Sequence, residues 1–257
     1  MKKRYLLVMM PALFSTLVSG AEIPKLQQLF DSKLTPTQRV NGCFELRGNA
    51  DPEVIRAMSR ALENPELISC AADNLRLVKA IEPLKQALKS PNAEARAAAA
   101  RELGAFHDPG LLDALSDAAR DENALVGSNA LAALTEYTDR RVIPYLAALA
   151  QNGGMVGDMA LERILQLDAR TALSIARPLL GSDQVPDKLY AMRTLGAAGD
   201  RSDLAALRKI AATTEEVPTQ RARGFGFMPP INLARAAESA IAAIESRMAQ
   251  SPNHGDR

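Results

Sequence analysis

The run Glu94–Asn123, EARAAAARELGAFHDPGLLDALSDAARDEN, constrains the fold of this chain more than any other stretch, because variants of it recur before and after it. Ala95, Ala99, Leu103 and Phe106 fall on one face of an α-helix. Asp108-Pro109 then reads as a helix start: the carboxylate can accept a backbone N–H, and proline at the first helical position forfeits no useful donor. Leu111, Leu115 and Ala118 resume helical spacing. The stretch is a hairpin of two short amphipathic helices, and neither can bury its apolar stripe alone. It needs neighbours of its own kind.

Those neighbours are present. Asp51-Pro52 stands 57 residues before Asp108-Pro109 and is followed by Val54, Met58 and Leu62 at helical spacing, which gives a first helix pair. Residues 67–92, with Leu84 and Leu88, give a second, and the organising stretch is the third. A fourth over 124–154 carries Ala130, Leu134 and Tyr137, then Val142, Leu146 and Leu149; a fifth spans 155–186 and a sixth 187–218. Leu134 lies 31 residues beyond Leu103, Ile164 lies 30 further and Leu195 another 31. Such a period, with two helices in each, excludes a heptad coiled coil and a propeller. Residues 22–34 are expected to form a lead-in helix with Leu26, Leu29 and Phe30 on one side, and INLARAAESAIAAIESRMAQ a last helix. Aromatic residues are only 4% against 47% hydrophobic, so the core is built from Ala, Leu, Ile and Val, which suits closely packed helices better than a β-sandwich. The expected fold is all-α: a solenoid, or superhelix, of about six to seven helix-turn-helix repeats over residues 22–248, with a disordered tail at 249–257.

RAAAARELGAFHDPGLLDAL and AMRTLGAAGDRSDLAAL resemble the short HEAT-like repeats of the phycobilisome-lyase type, whose pattern is roughly Arg-x-x-Ala-Ala-x-x-Leu-Gly-x-x-x-Asp followed by a second Leu/Ala-rich helix. The resemblance covers most of residues 36–247. It is clearest over 94–212, and departs from the pattern where Thr135 and Leu165 replace the glycine. It implies curved binding surfaces in most members and help with chromophore attachment in a minority. It also implies that the helix before each Asp turn lines the concave face, which makes Arg96, Arg101, Arg163, Arg193 and Glu162 candidate partner-binding residues.

Residues 1–21 have the three parts of a secretory signal: Lys2-Lys3-Arg4, an apolar run from Tyr5 to Val18, and Ser19-Gly20-Ala21. A membrane anchor would need about 20 apolar residues. The expected location is the bacterial periplasm or exterior. The formal charge of +1 falls to −2 without the leader, which predicts no nucleic-acid or anionic-membrane binding and no stable membrane insertion after cleavage. In an oxidising compartment, Cys43 and Cys70 are expected to form a disulfide between the first two repeats. Buried free thiols, or a redox or metal pair, are the alternatives; there is no CxxC, and no histidine lies near.

Asp108, Asp139-Arg140-Arg141, Asp168-Arg170 and Asp200-Arg201 would line one edge of a stack, either as an anion-binding strip or as N-caps and inter-turn ion pairs. His107 and His254 have no metal-site spacing, and no nucleophile or phosphate-loop motif is present, so no catalytic, metal or cofactor site is expected. Gly153-Gly154 reads as a flexible link. Residues 218–230, PTQRARGFGFMPP, interrupt the repeat with Arg221, Arg223, Phe225, Phe227 and Met228. Loops of this length are usually functional or disordered, and aromatics with Arg are typical interface anchors; the competing reading is that both Phe fold back as a C-terminal cap. The expected function is a non-enzymatic scaffold that holds a protein or peptide. A lyase-like or cofactor-holding accessory is the alternative.

Overall fold

A computed structural model describes residues 22–151, 153–213, 216–217 and 231–250. The leader, the loop residues 218–230, the tail at 251–257 and hence His254 lie outside the described residues. The fold is an all-α solenoid in which six helix pairs follow one another. They are α2 (Pro36–Glu45) with α3 (Pro52–Ala61), α4 (Ile68–Leu77) with α5 (Ile81–Ala87), and α6 (Ala93–Gly104) with α7 (Leu112–Ala118). Next come α8 (Ala124–Glu136) with α9 (Ile143–Ala150), α10 (Gly154–Leu167) with α11 (Ala169–Leu179), and α12 (Val185–Ala198) with α13 (Leu204–Ala211). A lead-in helix, α1 (Glu22–Gln28), precedes them, and α14 (Leu233–Gln250) follows.

Two boundaries differ from expectation. The lead-in helix stops at Gln28, so Leu29 turns inward and is fully buried while Phe30 stays 37% exposed. At the other end, α14 runs to Gln250, into the segment expected to be tail. Among the described residues the one departure from helices and their connections is a two-residue antiparallel ladder, β1 (Glu216–Val217) on β2 (Ile231–Asn232), at the two edges of the interruption.

Helix starts follow the sequence signals. Thr35 and Gln38 make a reciprocal capping box in front of α2, with Pro36 at the first helical position. Asp51, Asn92, Asn123 and Asp168 each accept a backbone N–H two residues on, at 2.7–3.1 Å. Asp108, Asp139 and Asp200 do the same for single 3-10 turns (109–111, 140–142 and 201–203) that lead into α7, α9 and α13.

The chain divides into two compact units, Met1–Pro83 and Leu84–Arg257. In the first, Cys43 on α2 and Cys70 on α4 are disulfide-bonded, as expected, with Cα atoms 6.3 Å apart. The bridge lies in a core of Val54, Met58, Leu62, Leu67 and Leu75. Asn74, also buried, donates to the Leu46 carbonyl at 3.1 Å and accepts from Gly48 N–H at 3.0 Å, closing the end of α2. Gly48 is left-handed there (φ 77°).

In the second unit the first helices of successive pairs form one layer: α6 packs on α8, α8 on α10, α10 on α12 and α12 on α14. Leu103, Leu134, Ile164 and Leu195, the residues that mark the period, are all fully buried. Glycine sets the approach at two of these contacts. A Cβ on Gly104 would stand 2.4 Å from Ala133 Cβ, and one on Gly196 would stand 3.2 Å from Ala240 Cα. Gly104 is the last residue of α6 and Gly196 lies in the last turn of α12, neither with a positive φ, so they serve helix–helix approach and not a turn. The turns of the repeats with Thr135 and Leu165 are therefore unaffected: Asp139 and Asp168 cap them in the usual way.

Candidate functional site

The first-helix layer of the second unit is where the sequence-derived candidates fall, and their geometry sorts them. Arg96 is consumed by the fold. Its Nε and Nη2 donate to the two carboxylate oxygens of Asp121 at 2.8 and 2.9 Å, and Nη1 donates to the Ser90 carbonyl at 2.9 Å. That bidentate pair, with only 14% of the arginine side chain exposed, fixes the link between repeats and offers little to a partner. Arg39 is used in the same way at the start of α2, bonded to Leu34 O at 2.6 Å and paired with Glu66.

Arg163 also reaches back one repeat. Its Nη2 donates to the Tyr137 carbonyl at the end of α8, at 2.9 Å, and Nη1 donates to Gln166 at 2.7 Å. Tyr137, fully buried, in turn donates its hydroxyl to the Asp108 carbonyl at 2.9 Å. Arg247 of α14 does the same for the end of α12, donating to Gly199 O at 2.9 Å and closely to Gly196 O. With Asn74, the two arginines supply donors to carbonyls at helix C-termini, while Tyr137 ties the turn after α6. Sequence reasoning missed this role because each donor lies a repeat away from its acceptor.

Burial pushes the Tyr137 hydroxyl up to about 12. Its folded pKa therefore exceeds the ordinary value of about 10, so its contribution to stability is complete below pH ~10 and is lost as pH rises toward 12. Chemical denaturation between pH 9 and 12 is expected to show this decline. Tyr137→Phe should be about 1 kcal/mol less stable at pH 8 and decline less steeply above pH 10.

Arg101, Glu162 and Arg193 remain on the surface, with side chains 52%, 57% and 52% exposed. They occupy the same position in α6, α10 and α12, so they form a row along the layer. Arg101 bonds its neighbour Glu102 at 2.9 Å. Arg193 pairs closely with Asp158, lies 3.7 Å from Glu162 and stands over the Tyr190 ring. Burial pushes the Asp158 carboxyl above the ordinary carboxylate range, against the pull of Arg193.

Beside this charged group the layer is apolar. Met155 is 74% exposed and Met159, one turn on, 40%; Leu125 on α8 is 53%. Sequence reading did not single out the methionines. A groove of ≈ 250 Å³ lies among Thr135, Met159, Glu162, Arg163 and Gln166. A second, of ≈ 320 Å³, runs between α12 and α14 past Leu189, Met192, Arg193 and Ser239. Arg221, Arg223, Phe225, Phe227 and Met228 lie outside the described residues.

The Asp-turn edge is a capping array. Arg140 pairs with Asp168 of the next turn at 2.9 Å, Arg141 with Asp139, and Arg177 with Asp203 and Asp200 at 2.8 and 3.3 Å. Gly153 and Gly154 are both left-handed (φ 69° and 65°), and a Cβ on Gly153 would stand 2.6 Å from Asp187, which accepts from Gly154 N–H. The pair is a shaped entry to α10. His107 packs edge-on to Tyr137, and no cluster of three metal-ligating side chains occurs among the described residues.

Residues 81–154 match the family model of HEAT repeats. This stretch of the chain is made of HEAT repeats. Solved structures with similarity include the CpcE–CpcF complex of phycocyanin lyase from a Nostoc species, 19% identical over 96% of this chain and 95% of that one, with a TM-score of 0.42. Human deoxyhypusine hydroxylase is 18% identical over 88% of this chain and 96% of that one, with a TM-score of 0.38. A designed armadillo repeat protein in complex with the peptide (KR)4 is 16% identical over 88% and 100%, with a TM-score of 0.39. None of these likenesses bears on what this chain binds or does. No curated protein matches it.

Proposed function

We propose that this chain is a non-enzymatic scaffold that holds a protein or peptide on the first-helix layer of its second unit, outside the cytoplasm after export on residues 1–21. The observation that carries the reading is the solvent-facing pair Met155 and Met159 beside the Arg193–Asp158–Glu162 group, on a layer whose other aliphatic side chains are largely buried. Methionine adapts its shape to irregular apolar surfaces, and a charged group at its border supplies orientation. Arg101, Glu162 and Arg193 are the candidate contact residues, with the 218–230 segment as a second contact. Arg96 and Arg163 hold the layer together through Asp121 and the Tyr137 carbonyl.

A photo-crosslinking residue at position 159 is expected to capture a discrete partner from extract of exported proteins, where the same residue at Lys209 on α13 does not. With the crosslinker moved to position 166, which lines the same groove, Met155→Glu with Met159→Glu should lower capture at least tenfold with an unchanged melting temperature. Equal capture at both positions, or capture indifferent to the two glutamates, would sink the reading. Phe225→Ala with Phe227→Ala reports on the loop: reduced capture at constant stability assigns it to binding, and a parallel fall in stability assigns it to capping.

A further inference from the structure

The first unit carries a groove that the scaffold reading does not use. It lies between α1 and α3, has a volume of ≈ 480 Å³, and is floored by Leu26, Phe30 and Ala57. That volume falls within the roughly 300–1,000 Å³ of small-molecule sites. Glu53, Arg56 and Arg60 stand around it. Arg56 pairs with Glu53, one turn away on the same helix, so those two charges cancel. Arg60 is different. Its guanidinium lies over the Phe30 ring, 4.4 Å from the centroid, and it makes no ion pair among the described residues. Stacking holds the guanidinium plane while leaving its edge N–H groups free to donate.

The groove therefore combines an apolar floor with one uncompensated, oriented positive charge. Its walls are helices whose backbone N–H and C=O groups are already bonded to one another, so it has little to offer the amides of an extended peptide. A ligand without amides fits better. We propose that this groove binds a small monocarboxylate with an apolar tail, its carboxylate on the Arg60 edge and its tail along Leu26 and Phe30. Both carboxylate oxygens can be met by parallel N–H donors of one guanidinium, which lysine could not do.

Calorimetric titration of the full chain with decanoate, kept below its micelle concentration, tests this. Saturable one-to-one binding is expected, with none for acetate (the head without the tail) or decyltrimethylammonium (the same tail with the opposite charge). Arg60→Gln should weaken decanoate at least tenfold at an unchanged melting temperature, since the side chain is exposed. Phe30→Ala should weaken it similarly; if that variant loses stability, Arg60→Gln decides alone. Absence of saturable binding, equal binding of the cation, or an unaffected Arg60→Gln variant would overturn the proposal. So would a concentration-dependent dimer abolished by Phe30→Ala, which would make a second copy the occupant. The site involves no residue of the second unit, so its failure leaves the scaffold reading intact, and the reverse holds too.

Discussion

Replacing both Cys43 and Cys70 by alanine is expected to destabilise the first unit by about 3–4 kcal/mol, the largest single effect foreseen for this chain. The bridge closes a 27-residue loop. In the chain-entropy account, opening it returns to the unfolded state the freedom the cross-link removed. Two side chains buried at 0% and 4% are also truncated, which adds a smaller packing loss against Met58. In a stack whose repeats contact only their neighbours, the loss should be local. Hydrogen exchange is the measurement: amides of α2 and α4 should lose protection together, while those of α10 and α12 keep theirs. A variant with unchanged exchange in α2 and α4 would show that the bridge staples nothing.

Gly104→Ala is the second large effect, and its sign is the informative part. Helix propensity alone favours alanine, by up to about 1 kcal/mol in a helix interior and by less at Gly104, the last residue of α6. Packing opposes it. The new Cβ would stand 2.4 Å from Ala133 Cβ and 3.0 Å from Ala133 Cα, and neither atom belongs to a flexible side chain that can swing away. The helices α6 and α8 must separate, and overpacking of this kind costs about 1–3 kcal/mol. The net expectation is a lower melting temperature, by about 2–4 °C for each kcal/mol in a chain of this size. Ala133→Gly in the same chain removes the shorter contact and should restore part of the loss. A higher melting temperature for Gly104→Ala alone would mean that the close approach is not what holds glycine at this position.

Much of the architecture was legible because it rests on local rules. The 30–31-residue spacing of Leu103, Leu134, Ile164 and Leu195 named the inward position of each first helix, and all four are buried. Asp108, Asp139, Asp168 and Asp200 announced helix starts and cap them. The disulfide and the pairing along the Asp turns apart, what the sequence withheld was the side-chain contacts that span a repeat. Arg96, Arg163 and Arg193 look alike as exposed-face arginines on helices of one pattern, yet Asp121 and the Tyr137 carbonyl immobilise the first two, and only the third keeps a half-exposed side chain on the layer. The same blindness hid the role of Gly104, whose partner is 29 residues away, and the exposure of Met155 and Met159. Periodicity reports which face a residue shares, and says nothing of how far the next helix stands from it.

The back-reaching donors give the stack a polarity that its repetition conceals. Within its own unit, each of Asn74, Tyr137, Arg163 and Arg247 donates to a carbonyl earlier in the chain. A deletion that trims the chain from its far end therefore strips the donor from the carbonyls left behind, whereas one that trims from the front removes the carbonyl and leaves a donor that water can meet. Insertion, duplication and loss of repeats are not equivalent at the two ends of such a molecule, and growth by new repeats is structurally easier at its beginning than at its end.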